Sequence, residues 1–99
     1  MKYTGYKLRV PDDLAELIRT MHPALKKKVK TSLQTILSDP NTGKSLRNEL
    51  AGLYSFRVSR FRVIYRIASS KQIEIVAIGP RERIYEETYR LLKKELKQR

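Results

Sequence analysis

From Leu53 to Ile67 the chain alternates with period two: Tyr54, Phe56 and Val58 are separated by Ser55 and Arg57, and Phe61, Val63, Tyr65 and Ile67 by Arg62, Ile64 and Arg66. That is the spacing of strands with one fully apolar face, and the intervening Ser59 and Arg60 predict a tight hairpin. With a two-residue turn, Tyr54 lies opposite Tyr65, Phe56 opposite Val63 and Val58 opposite Phe61. Leu53/Arg66, Ser55/Ile64 and Arg57/Arg62 then share the other face. A slip of one residue would carry Arg57 into the apolar face, so the pattern selects this register.

The remaining runs fit around the hairpin. A strand over 3–10 (Tyr3, Tyr6, Leu8, Val10) ends at Pro11. Leu14, Leu17, Ile18 and Met21 recur at helical spacing behind Asp12 and Asp13, acids that favour the start of a helix dipole. Pro23 restarts the chain, and Leu25, Val29, Leu33, Ile36 and Leu37 mark a second helix that exposes Lys26, Lys27, Lys28 and Lys30. These two helices are expected to form an antiparallel pair. Asp39–Lys44 (DPNTGK) reads as a loop, Ile73–Gly79 as a third hairpin-region strand closed by Pro80, and Ile84, Tyr85, Tyr89, Leu91, Leu92 and Leu96 as a last helix. The reading is an α+β fold of order β-α-α-β-β-β-α. A small antiparallel sheet packs against an N-terminal helical hairpin and carries a C-terminal helix, in one domain over 1–99.

Composition narrows the chemistry. Lys and Arg number 22 against 10 Asp and Glu, a net charge of +12 on a chain that is 40% hydrophobic and well patterned. Such charge on a folded surface implies a polyanionic partner, nucleic acid or acidic protein. With no cysteine and the single His22, read as a junction residue between helices, neither thiolate chemistry nor a Cys/His metal site can be assembled. No cofactor and no metal are expected. The absence of a long apolar run or a signal-type N-terminus points to a cytoplasmic protein with no membrane partner.

The hairpin register brings arginines together. Arg57 directly opposite Arg62 is repulsive by some tenths of a kcal/mol to about one, an arrangement a bound anion would relieve. Extending the register with Ile67 opposite Ile73 places Ala77 opposite Val63 and Ile78 opposite Arg62. Arg81 and Arg83 then emerge beside the arginine pair, bordered by Tyr85, while Val76 and Ile78 share the arginine face with Ile64. The plain readings are exposed strand arginines that guard against edge aggregation, and a Tyr85 that only packs with Tyr89, Leu92 and Leu96.

The segment from Tyr54 to Tyr65 (YSFRVSRFRVIY), with Ile75 to Tyr85 (IVAIGPRERIY), resembles the C-terminal half of RelE-type toxins of toxin–antitoxin systems. The order of elements resembles that family over nearly the whole chain. The resemblance implies a toxin that enters the ribosomal A site, cuts messenger RNA and is neutralised by a cognate antitoxin. It places the basic position of the first hairpin strand on Arg57, the phosphate-contacting arginine on Arg62, the arginine after the last strand on Arg81 and the final-helix aromatic on Tyr85. Ser55, Ser59 and Pro80 depart from the residues common in the family at their positions.

Cleavage with these groups would proceed by attack of a ribose 2′-OH on the adjacent phosphate. Guanidinium forks suit the charge that collects on five-coordinate phosphorus, with Arg62 first and Arg57 beside it. Arg81 stabilises charge, since arginine is a poor proton donor. Tyr85 is either the base or a platform on which a splayed base stacks. Arg60, Arg83, Lys26, Lys27 and Lys30 are read as additional RNA-binding cations. Two other functions fit the chain: a ParE-type toxin that poisons DNA gyrase without cutting RNA, and an RNA-binding module without catalysis.

Overall fold

The computed structural model describes residues 5–68 and 71–97. In chain order they form β1 (Lys7–Arg9), α1 (Asp12–Arg19), α2 (Pro23–Ser38), β2 (Lys44–Ser45), a 3-10 turn (Asn48–Leu50), β3 (Leu53–Val58), β4 (Phe61–Ala68), β5 (Gln72–Pro80) and α3 (Arg81–Lys97). The order read from the sequence is present, with β2 and the 3-10 turn added between α2 and β3. Tyr3, counted in the first strand, lies outside the described residues.

Local chemistry explains the helix boundaries. Asp12 and Asp13 occupy the first turn of α1 and Arg19 its last, and Leu14 and Ile18 are the pair it buries. His22 caps α2, its Nδ1 accepting the Ala24 N–H at 3.2 Å, and Pro23 stands in the first turn, where a missing N–H costs nothing. Val29, Leu33 and Ile36 then face the sheet along one stripe.

The sheet order is β1-β5-β4-β3-β2. Strands β2 to β5 are antiparallel, as expected, and β1 joins the far edge parallel to β5, with Leu8 opposite Ile73. Parallel pairing needs a long connection, and here the connection is both helices and the β3–β4 hairpin. The helical pair covers one face over Val58, Val63, Tyr65, Ile73, Ile75 and Ile78. On the other face α3 packs Ile84 onto Leu53, Ile64 and Ala77. Three consecutive residues of β4, Val63, Ile64 and Tyr65, are fully buried, which is the signature of a central strand covered on both sides.

The β3–β4 register is the expected one throughout, including Arg57 opposite Arg62 and Val58 opposite Phe61. Its turn relies on Ser59, whose φ of 58° supplies the left-handed residue that a tight hairpin needs. The β4–β5 register differs from expectation. Ile67 faces Ile73 and Tyr65 faces Ile75, but Ile64 faces Ala77, so Val76 is an extra residue in a bulge. Val63 therefore meets Ile78 instead of Ala77, and Arg62 meets Gly79 instead of Ile78. Ile78 turns into the core under the helical pair, away from the arginine face. The physical reason lies at Gly79, where a Cβ would already stand 3.0 Å from Ile84 Cδ1. An isoleucine opposite Arg62 would have held the start of α3 off the sheet.

The 39–44 loop is fastened to the sheet by Tyr65, whose buried hydroxyl donates to the Pro40 carbonyl at 2.8 Å and accepts the Gly43 N–H at 3.0 Å. A Cβ on Gly43 would sit 2.7 Å from that hydroxyl, so the loop can approach only with glycine there. The Tyr65 ring stacks on Tyr54 with centroids 5.3 Å apart. Among the described residues no helix is long and apolar enough to cross a membrane.

Candidate active site

The hydrogen-bonding phase of the hairpin fixes how the arginines meet. Leu53 accepts from the Leu46 N–H at 2.9 Å, so the backbone groups of Leu53, Ser55 and Arg57 point outward from the β3–β4 pair. Arg57 and Arg62 thus form a non-hydrogen-bonded pair, the kind in which facing residues come closest, with Cα atoms about 4.5 Å apart. Arg57 is exposed and Arg62 half-buried. The Arg62 Nε is buried without a hydrogen-bond partner, a donor that only a ligand or solvent could satisfy. Arg57 has a long contact from Nε to the Ser59 carbonyl at 3.4 Å.

Among the described residues, ion pairs involve Arg9, Arg19, Arg66 and Arg90, and none involves Arg57, Arg60, Arg62, Arg81 or Arg83. Of these five, Arg57, Arg60, Arg62 and Arg81 start from the turn end of the hairpin.

Three further groups are held at that end. Phe61 faces Pro80, and the Arg81 N–H donates to the Arg60 carbonyl at 3.1 Å, which ties the first residue of α3 to the hairpin turn. Arg81 is exposed and lies on the same helical stripe as Ile84, Tyr85 and Thr88, the side of α3 that packs on the sheet. The Tyr85 hydroxyl stands 3.1 Å from the Oγ of Ser55, a buried serine two residues before Arg57 on the same face of β3. The phenol is therefore positioned beside the arginines by a hydrogen bond that sequence reasoning did not anticipate. Because Gly79 lets α3 descend onto the sheet, it also sets the height of Tyr85. The same close approach brings Glu87 over Gly79, with Oε1 3.4 Å from where a Cβ would be, an acid that no periodicity or motif marks out.

The other sequence-selected cations divide. Arg60 sits in the turn itself. Arg83 is exposed and lies on the stripe of Glu87, Arg90 and Lys94, roughly a hundred degrees round α3 from Ile84 and on the flank opposite Tyr85. Lys27 and Lys28 line a cleft with Arg57, on the side of the sheet covered by α2. Lys26 and Lys30 line a neighbouring groove with Pro23 and Gln34, farther from the arginines. Among the described residues no cluster of His, Cys, Asp or Glu is arranged to hold a metal ion.

A five-stranded sheet between a helical pair and a C-terminal helix is the fold of the RelE/ParE superfamily of toxins. Residues 6–85 match the model of the ParE toxin of type II toxin–antitoxin systems, and the chain belongs to that family. No protein of curated function matches it by sequence. Among solved structures it is similar to the toxin–antitoxin complex RelBE2 from Mycobacterium tuberculosis, with 26% identity, 79% of this chain and 100% of that chain covered and a TM-score of 0.67. It is similar in fold to an arginine double mutant of the E. coli toxin RelE in the free state (21% identity, 93% and 98% covered, TM-score 0.71). The archaeal RelE–RelB complex from Pyrococcus horikoshii OT3 is similar as well (21% identity, 81% and 99% covered, TM-score 0.66). The protein is thus a toxin of a type II toxin–antitoxin system with a RelE-like fold.

Proposed function

We propose that this toxin is a ribosome-dependent endoribonuclease that cuts messenger RNA in the ribosomal A site. The observation that carries the reading is the opposed pair Arg57/Arg62, in no ion pair among the described residues and with the Arg62 Nε buried and unsatisfied. A phosphodiester seated there removes the repulsion and satisfies the donor in one step. Attack of the 2′-OH on phosphorus forms a 2′,3′-cyclic phosphate and releases the 5′-OH strand. Charge accumulates on the non-bridging oxygens, where Arg62 and Arg57 supply donors, and Arg81 adds a third cation from the start of α3. Tyr85, oriented by Ser55, is the group placed to take the 2′-OH proton or to stack on the displaced base. Weak acid–base equipment fits a requirement for the ribosome to align the strand, since orientation alone contributes several kcal/mol.

The natural partners on this reading are the ribosome with its messenger and a cognate antitoxin in the cytoplasm, as the RelBE2 and RelE–RelB complexes carry one. The match to the ParE model favours a second reading, a gyrase-directed toxin that leaves RNA intact. Mapping messenger 5′ ends after induction separates them: in-frame cuts on translating ribosomes support the nuclease, and DNA damage with intact messengers supports the gyrase toxin. Arg62→Ala is expected to lower cleavage about 10²–10³-fold, the usual effect of losing one preorganised donor, with no loss of thermal stability. Tyr85→Phe keeps the ring, so near-normal cleavage by that variant would assign Tyr85 to stacking.

A further inference from the structure

We infer that the Ser55 hydroxyl donates its proton to the phenol oxygen of Tyr85, so that Tyr85 gives its own proton to the leaving 5′ oxygen of the RNA. Ser55 is then the positioning residue that makes Tyr85 an acid. The inference rests on the nuclease reading and deepens it, since that reading leaves the work of Tyr85 open between base and stacking platform.

Burial decides the direction of the hydrogen bond. The two oxygens stand 3.1 Å apart, a separation that either hydroxyl can bridge as donor. Ser55 is 1% exposed, on the face of β3 where Leu53, Ile64, Ala77 and Ile84 form an apolar cluster. Among the described residues Tyr85 is the partner its hydroxyl has. Were Tyr85 the donor, the Ser55 proton would lie buried with nothing to accept it, at the full desolvation cost of that group. Tyr85 is under no such constraint, because it is half-buried and its hydroxyl can turn toward solvent or a bound strand. Serine therefore donates and tyrosine accepts. A phenol hydroxyl lies in the plane of its ring and has two positions there; Ser55 occupies the side of one, so the Tyr85 proton takes the other.

That proton is presented beside the arginines. Ser55 and Arg57 are two residues apart on one face of β3, about 7 Å along the strand, and Arg62 faces Arg57. A phosphodiester seated on the two guanidinium groups brings its leaving oxygen to the phenol. As the 2′ oxygen bonds to phosphorus and the P–O5′ bond breaks, the 2′-OH proton passes to a water molecule and the Tyr85 proton to the 5′ oxygen. The phenolate left behind is held by the Ser55 donor until solvent returns a proton. A hydrogen bond to an ionised group is stronger than one to a neutral group, so this contact tightens as charge develops and favours the transition state over the bound substrate.

Two measurements test the assignment. In a neutron crystal structure of the free, deuterated chain, the Ser55 deuteron is expected on the line to the Tyr85 oxygen. A Tyr85 deuteron on that line overturns the inference whatever the protein does to RNA. The second measurement uses ribosomes programmed with a short messenger whose scissile 5′ oxygen is replaced by sulfur, a leaving group that needs no proton. On the ordinary messenger Tyr85→Phe should cut about 10²–10⁴-fold more slowly. Ser55→Ala should lose about tenfold or more, in kcat with KM unchanged, while Ser55→Thr keeps the hydroxyl and stays within about threefold of the wild type. On the sulfur messenger all three variants should come within about threefold of the wild type, since no acid is then required. Equal losses on the two messengers overturn the inference and return Tyr85 to base or platform, as does normal cutting of the ordinary messenger by Ser55→Ala. A wild-type chain that cuts neither messenger overturns the nuclease reading and the acid role with it; failure of the inference alone shows as a wild type that cuts both.

Discussion

Tyr65 does at the scale of one residue what a larger element would otherwise do. Its ring fills the core beneath α2 and stacks on Tyr54, and its hydroxyl clips the 39–44 loop through Pro40 and Gly43. Burial pushes its pKa above the ordinary value of 10.0, and nearby Tyr54 and Asp39 push the same way against the lowering effect of the Gly43 N–H. The folded state thus favours the protonated phenol. Its contribution is fully present below the unfolded value and is lost as pH rises through the folded one. Urea denaturation of the wild type should therefore show stability falling from about pH 10 upward. Tyr65→Phe should be less stable at pH 7 by about 1–3 kcal/mol, since the Pro40 and Gly43 groups lose their partner, but flatter above pH 10. Parallel curves for the two proteins across that range would remove the ionisation from the account.

The elements differ in how openly the sequence declared them. The β3–β4 hairpin was legible because an error of register in either direction carries a plain penalty: a slip by one residue buries Arg57 and exposes Phe56. The arginine pair at the heart of the candidate site came with it. The bulge at Val76 was not legible, because a β-branched residue there looks like any other strand residue and the reason for the shift, the descent of α3 onto Gly79, is tertiary. The same descent hid the Ser55–Tyr85 contact and the outward direction of Arg83. β2 is too short to show a period. Helix α2 was legible in extent, yet its charge is at odds with its geometry: no acid occupies its first turn, while Lys26, Lys27, Lys28 and Lys30 crowd its N-terminal half. Cations there oppose the helix dipole, a cost accepted where an anion is to be met. Ala24→Glu places a carboxylate in the first turn and one turn before Lys28, so it should raise stability by about 0.3–1 kcal/mol at low ionic strength. The gain should shrink in 0.5 M salt, where the Debye length falls to about 4 Å and exposed charges a helical turn apart are screened. The urea midpoint reads this directly.

Across the whole molecule the charges are sorted by place. At the end of the sheet away from the hairpin turn, Glu74 bridges Arg9 of β1 and Arg66 of β4, and Arg66 reaches Glu95 of α3 at 3.8 Å. At the turn end Arg57, Arg60, Arg62 and Arg81 form no ion pair among the described residues, and the α2 lysines add to them. A net charge of +12 distributed this way concentrates self-repulsion where the fold is also expected to work. A polyanion that binds only the folded state should therefore stabilise it, and local relief should outweigh general screening. Tripolyphosphate at millimolar concentration and low ionic strength is expected to raise the melting temperature by about 4–8 °C, the shift that about 1 kcal/mol produces in a domain of this size. Sodium chloride at equal ionic strength should give a smaller rise. The double variant Arg57→Ala, Arg62→Ala should start no less stable than the wild type, having lost the repulsive pair, and should keep less than half of the polyphosphate effect. An undiminished effect in that variant would move the anion site off the hairpin and onto the lysines of α2.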